Sequence, residues 1–194
     1  FDIELNLESL GGWKEVGGVH YRTDHDLGGH QKGSGEKMEI TVNGKKILPH
    51  VLELSFGVDR NIWGLFDVFF CQEKERDLFK FSTNIAPIQL AIFPLVNKDK
   101  IPELATKVYD EVKVKFKTFF DDKGSIGKLY RRMDEIGCPY CITVDHDSLK
   151  AKDVTIRDRD TMKQRRVKIN DLVQTLDKLF CGNIKFDKVG KAVK

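Results

Sequence analysis

The sequence predicts an α/β protein in two parts. An antiparallel sheet that ends in a strand–turn–helix unit comes first, and an α/β domain with a mixed sheet follows. Three observations carry this. Near the start, Ile3, Leu5 and Leu7 alternate with Asp2, Glu4 and Asn6, as in a half-buried strand. Further on, an apolar stretch (Val51, Leu52, Leu54) carries Glu53 and Ser55 and passes through Gly57 into a helical pattern. From residue 88 onward, strand-like and helix-like stretches follow one another as β-α-β-α-β-β-α, the pattern of an α/β domain. The boundary is expected near residue 84, giving parts 1–84 and 85–194.

Taken in order, residues 9–12 read as a turn and residues 13–21 as a second strand, antiparallel to the first. Gly17 and Gly18 inside it suggest a bulge or a close backbone approach. Residues 28–38 are glycine-rich and polar and read as a mobile loop. A hairpin follows, with Asn43-Gly44 as its tight turn between residues 39–42 and 45–48. In the helix after Gly57, Ile62, Trp63, Leu65, Phe66, Phe69 and Phe70 are too apolar for exposure and are expected to pack under the sheet.

The second part begins after a charged link at residues 73–77. Residues 88–94 are continuously apolar, as in a strand buried on both faces. Pro102 suits the first turn of a helix, whose apolar stripe is Ile101, Leu104, Ala105, Val108 and Val112. A short strand at 114–119, a helix at 128–136, strands at 140–144 and 154–157, and an amphipathic helix at 169–180 complete the order.

Composition narrows the classes. The chain has 194 residues, 40% of them hydrophobic, and a net charge of +3. No apolar run approaches the roughly 20 residues that span a bilayer, and no secretory signal pattern is present. A membrane partner is not expected. The chain opens at Phe1 on residues that already read as a strand, so it is taken as a fragment or one piece of a split protein. The charge is uneven. Arg157, Arg159, Lys163, Arg165, Arg166 and Lys168 cluster with only Asp158 and Asp160 between them, and Lys185, Lys188, Lys191 and Lys194 follow. Such runs are commonly a solvated face.

Several motifs are set aside on spacing. Cys138-Pro139-Tyr140-Cys141 has the form of a redox dithiol. A reactive dithiol belongs where a strand opens into a helix whose N-terminus lowers the first thiol's pKa. Here the motif runs into Ile142-Thr143-Val144, a strand pattern. Cys71 and Cys181 are too distant in sequence to complete a zinc site. Reduced thiols of a cytoplasmic protein are expected. His20, His25 and His30, with Asp24 and Asp26, match neither a helix face nor a zinc motif. Gly33-Ser34-Gly35-Glu36-Lys37 lacks the spacing of a phosphate loop. No metal held by the protein itself is expected.

The chemistry concentrates at residues 49–60. An acid, a hydroxyl, a helix N-terminus and Arg60 fall within eight residues. Helix N-termini attract anions through free N–H groups and the macrodipole, and an arginine fork grips phosphate in two places. That set suits a substrate carrying both an amine and phosphates.

Ser55-Phe56-Gly57-Val58-Asp59-Arg60 resembles motif 3 of class II aminoacyl-tRNA synthetases. With Pro49-His50-Val51-Leu52-Glu53 before it, the stretch resembles the glycyl enzymes of archaeal and eukaryotic type, although Leu54 stands where the wider family more often has proline. Residues 12–18 and 21–27 resemble an earlier strand and its sequel in the same family. The second part resembles the family's anticodon-binding domain at residues 86–88, 94–96, 121–127, 130–137, 143–145 and 154–160.

The resemblance implies the C-terminal portion of a class II antiparallel-sheet catalytic domain followed by an anticodon-binding domain. It implies glycine activation with ATP and Mg²⁺, then transfer to tRNA(Gly). Arg60, with Gly57, is expected on ATP, and Glu15, Glu53 and Ser55 on the glycine ammonium. Arg22 belongs to the same pattern. Arg131, Arg157 and Arg159 are candidates for tRNA contact, their salt bridges with Asp134, Asp158 and Asp160 being the competing reading. Motifs 1 and 2 are not in the sequence, so an N-terminal half is expected as partner, within a complete enzyme that is a homodimer. The competing function is a non-catalytic accessory module, as in the accessory subunit of mitochondrial DNA polymerase. Such a module needs none of these site residues.

Overall fold

The computed structural model describes residues 1–193 and divides into two compact units, residues 1–68 and residues 69 onward. In the first unit, β1 (Asp2–Leu7), β2 (Gly12–Thr23) and β5 (Val51–Phe56) form an antiparallel sheet in the order β1-β2-β5. α1 (His25–Ser34), the hairpin β3 (Ile40–Val42) and β4 (Lys45–Ile47), and α2 (Val58–Phe69) complete the unit. The Asn43-Gly44 turn has positive φ at both residues (50° and 75°), as a tight two-residue hairpin turn requires.

β2 contains a bulge. Ile3 faces Gly17 and Glu4 faces Glu15, so Val16 is an extra residue. Side chains alternate along a strand, and one inserted residue reverses the alternation beyond it. The register therefore gives one face to Ile3, Leu5, Leu7, Leu52, Leu54 and Phe56, and the other to Glu15, His20, Glu53 and Ser55.

Gly64 of α2 meets Leu5 and Leu7 of the apolar face, and Leu7 is fully buried. The expected burial of the whole apolar helix does not occur. Ile62, Trp63, Leu65, Phe66 and Phe70 are exposed, as are Leu52, Leu54 and Phe56 on β5, Leu54 by 68%. A three-stranded sheet offers too little area to cover them. The expected loop at 28–38 is also corrected: residues 25–34 are helical, with Gly35 (φ 75°) as the left-handed cap, a helix ending that favours glycine.

The second unit opens with the hairpin β6 (Phe70–Glu73) and β7 (Arg76–Phe79). Its six-stranded sheet uses β8 (Leu90–Pro94), β9 (Thr118–Phe120), β10 (Tyr140–Val144), β11 (Asp153–Asp158), β12 (Gln164–Lys168) and β13 (Lys191–Ala192), in the order β13-β12-β11-β10-β8-β9. β8 is parallel to β9 and β10, and the other pairs are antiparallel, so the sheet is mixed as expected. The helices are α3 (Ile101–Val112), α4 (Ile126–Ile136), α5 (His146–Ala151) and α6 (Ile169–Phe180). Neither α5 nor β12 was expected. α5 is short and begins with a reciprocal Asp145–Ser148 capping box.

All five residues of β8 are buried. Leu90 and Ile92 pack into one core cluster with α3 and α6, and Ala91 and Phe93 into another with α4. The sheet thus lies between two helical layers. The unit boundary after Val68 precedes the expected 84, because the β6–β7 hairpin is tied into this unit through Arg76, whose Nη1 donates to Asp134 Oδ2 and Arg159 O, each at 2.8 Å. Among the described residues no helix is long and apolar enough to cross a membrane.

Burial pushes Tyr130 and Tyr140 up to about 12. Both phenols are neutral in the folded and unfolded states below pH 10. Between the unfolded value near 10 and the folded value near 12, ionisation favours the unfolded chain. Ultraviolet titration is therefore expected to leave these two tyrosines protonated at pH 11 in the folded protein, with urea stability falling from pH 10 upward.

Candidate functional site

β5 stops at Phe56, opposite Gly17, and the chain turns through Gly57 into α2. β2 continues past that point, so the carbonyls of Glu15 and Val16 have no β5 neighbour. The first turn of α2 supplies donors instead. Arg60 Nη1 donates to Glu15 O at 2.8 Å, and Asn61 Nδ2 donates to Val16 O at 2.7 Å and to Gly57 O at 2.9 Å. A cavity of about 480 Å³ opens here, lined by Glu15, Val16, Gly17, Ser55, Gly57, Val58, Asp59 and Arg60. A Cβ on Gly17 would lie 2.5 Å from the Phe56 ring, so only glycine lets the two strands approach this closely.

Four expected site residues, Glu15, Ser55, Gly57 and Arg60, thus meet at one cavity. Glu53 does not line it. It lies on the same sheet face as Ser55, two residues back along β5, and its Oε2 is 3.1 Å from Arg22 Nη1. Arg22 also holds Asp26 of α1 through Nε and, at 2.9 Å, through Nη2. The hydrogen bond to Arg22 holds Asp26 below the usual carboxylate range. Arg22 therefore ties Glu53 to α1. Sequence reasoning missed Asn61. Its only signal was its place beside Arg60 in the turn after the glycine.

In the second unit two of the three arginines expected to contact tRNA are buried in ion pairs, the competing reading. Arg157 and Arg159 are 5% and 4% exposed. Arg157 makes a two-pronged pair with Asp134, Nη1 to Oδ1 at 2.8 Å and Nη2 to Oδ2 at 2.9 Å, and its guanidinium lies over the Tyr130 ring at 4.7 Å. Arg159 donates to Phe81 O and Gly137 O, each at 2.9 Å, and to Asp160 at 2.8 Å. Both guanidinium groups are thus held by protein carboxylates and carbonyls inside the unit. Arg131 alone of the three stays accessible. With Lys128, Arg132 and Glu135 of α4 it lines an open depression of about 520 Å³.

Cys138 and Cys141 are free and buried. Cys141 sits in β10, and burial pushes its thiol well above the ordinary range, the opposite of a redox dithiol. Among the described residues no group of three or more His, Cys, Asp and Glu is placed to hold a metal ion.

Residues 89–179 match the family model described as "Anticodon binding domain". The glycine–tRNA ligase of Borrelia hermsii is 44% identical over 179 residues, covering 88% of this chain and 40% of that protein. The chain is similar to glycine–tRNA ligases. That of Treponema denticola is 40% identical over 188 residues (91% of this chain, 41% of the relative), and that of Caldanaerobacter subterraneus is 44% identical over 182 residues (91% and 39%). These relatives are bacterial and do not match the archaeal and eukaryotic subtype that the motif suggested. The chain spans about two fifths of the length of these relatives.

Two outcomes are expected. Asp134→Asn leaves Arg76 and Arg157 facing a neutral amide in a buried position, and urea unfolding is expected to show a loss of about 3–5 kcal/mol. A thiol reagent such as Ellman's is expected to modify the exposed Cys181 of the folded protein within minutes and to leave Cys138 and Cys141 unmodified until denaturant is added.

Proposed function

We propose that this chain is the C-terminal part of a glycine–tRNA ligase, carrying one wall of the adenylate-forming site and the domain that holds tRNA(Gly). The observation that carries the reading is the meeting of Glu15, Ser55, Gly57 and Arg60 at one cavity. Its supports are the similarity to glycine–tRNA ligases and the anticodon-binding match.

In this reading the α2 N-terminus and Arg60 take the terminal phosphates of ATP. The Glu15 backbone bond fixes the guanidinium of Arg60, a lining residue of the cavity, which places fixed positive charge where negative charge builds up. The Glu15 carboxylate and the Ser55 hydroxyl take the glycine ammonium. Glu53, oriented by Arg22, adds negative charge on the same face. Mg²⁺, held by phosphate oxygens, supplies charge neutralisation when bound. No side chain attacks covalently. Alignment of the glycine carboxylate with the α-phosphate supplies much of the rate. Steric limits rather than a gripped side chain select glycine, because glycine has no side chain to grip. The open depression of α4, with Lys128, Arg131 and Arg132, faces RNA phosphates, as basic surfaces do.

The remainder of the catalytic domain is a further part of the same enzyme, working in the cytoplasm as a homodimer. The bare apolar surfaces of β5 and α2 are what such a part would cover. Glycine-dependent ATP–pyrophosphate exchange tests the reading. The lone chain is expected to give no exchange. A protein extended to the length of the relatives is expected to give it, with Arg60→Ala lowering kcat/KM about 100–1,000-fold. Full exchange by the lone chain overturns the need for another part. No exchange by the extended protein overturns the enzyme.

A further inference from the structure

Asn61 has no part in the expected chemistry, yet it holds the piece of backbone that the site depends on. Its single amide nitrogen spans two carbonyls, Val16 O on β2 at 2.7 Å and Gly57 O at the start of α2 at 2.9 Å. An Asn amide has two donor hydrogens, so both bonds form at once. Beside it, Arg60 takes the preceding carbonyl, Glu15 O. Consecutive residues of the helix therefore hold consecutive residues of the strand, at the point where Val16 is extra and where β5 no longer pairs.

Glu15 shares the face of Ser55 only because Val16 is bulged out of the alternation. Were the bulge removed, the Glu15 carboxylate would point to the apolar face. A bulge has lost ladder hydrogen bonds and needs other partners for its backbone groups. We infer that Asn61 is a positioning residue: its bond to the Val16 carbonyl fixes the bulge and thereby aims Glu15 into the cavity. The consequence for glycine rests on the function proposed above, whereas the bulge geometry is measurable without substrate.

The test uses the described chain, isotope-labelled, in solution. In the unaltered protein, a scalar coupling across the hydrogen bond between Asn61 Nδ2 and the Val16 carbonyl carbon is expected. Its absence, with the rest of the unit's resonances assigned, overturns the inference without any variant having to fold. Asn61→Asp keeps the shape and removes both donors. It is expected to shift the Glu15 and Val16 resonances and to speed amide exchange at Val16 and Gly17 at least tenfold, leaving β10 of the second unit unchanged. Changes confined to residues 57–61 would make Asn61 a helix-end bond and nothing more, and would overturn the inference.

Glycine titration followed at the Glu15 carboxyl carbon is expected to weaken about tenfold in Asn61→Leu, which also lacks the donors and adds no charge beside the phosphates, equivalent to about 1.4 kcal/mol, with ATP affinity within about twofold of the unaltered chain. Equal loss for both ligands counts against positioning. No response to glycine in the unaltered chain overturns the glycine reading and leaves the coupling and exchange results to decide the role of Asn61.

Discussion

A pleated strand sends its side chains alternately to two faces, and the first unit turns on one exception to that rule. Val16 is the additional residue, and it lets an acidic side chain and an apolar face coexist on the same short strand. The close approach at Gly17, where the Phe56 ring leaves no space for a Cβ, and the donors of the α2 first turn secure the exception from both sides. The cavity is a by-product. It forms where one strand ends before its neighbour, and the helix that replaces the strand supplies donors to the carbonyls left behind.

The second unit depends on a different kind of constraint. Asp134 is fully buried and holds the guanidinium groups of Arg76 and Arg157. Arg76 comes from the β6–β7 hairpin and Arg157 from β11, so one carboxylate joins α4, the sheet and a hairpin that the sequence places in a different part of the chain. Desolvating such charges is costly, and the arrangement survives because each partner has a hydrogen bond of good geometry. Specificity of the packing is its evident product, since no apolar trio would fix the three segments so exactly in direction.

Much of this was legible beforehand, and the reasons differ by element. β1, the Asn-Gly turn, the continuous apolar β8 and the amphipathic α6 are local patterns and form as such, although Leu7 alone of the three apolar residues of β1 is buried while Ile3 and Leu5 stay exposed. The strand–glycine–helix unit at residues 51–60 was readable because a helix start needs a turn residue and Arg60 needs a place to point. The bulge was readable only as a suspicion raised by two glycines. α1 was not legible: its glycines and histidines score as loop, and a cap plus the Arg22–Asp26 pair hold it. The burial of Arg157 and Arg159 was half legible: Asp134 and Asp160 stood among the counter-charges the sequence offered, but local pattern does not say whether such a pair lies at the surface or inside, and the backbone carbonyls of Phe81 and Gly137 that complete the Arg159 site come from distant segments. The fate of α2 erred in the opposite direction, because an apolar stripe states what a helix needs to bury and not whether anything stands opposite it.

The outer row of β5 has a practical side. Leu52, Leu54 and Phe56 alternate along a strand whose far flank has, among the described residues, no hydrogen-bonded neighbour in the sheet. Oily teeth beside open peptide groups make a template on which strands of other molecules add. The consequence is a liability in the isolated polypeptide, whose tendency to add strands is set by this one edge more than by its net charge of +3.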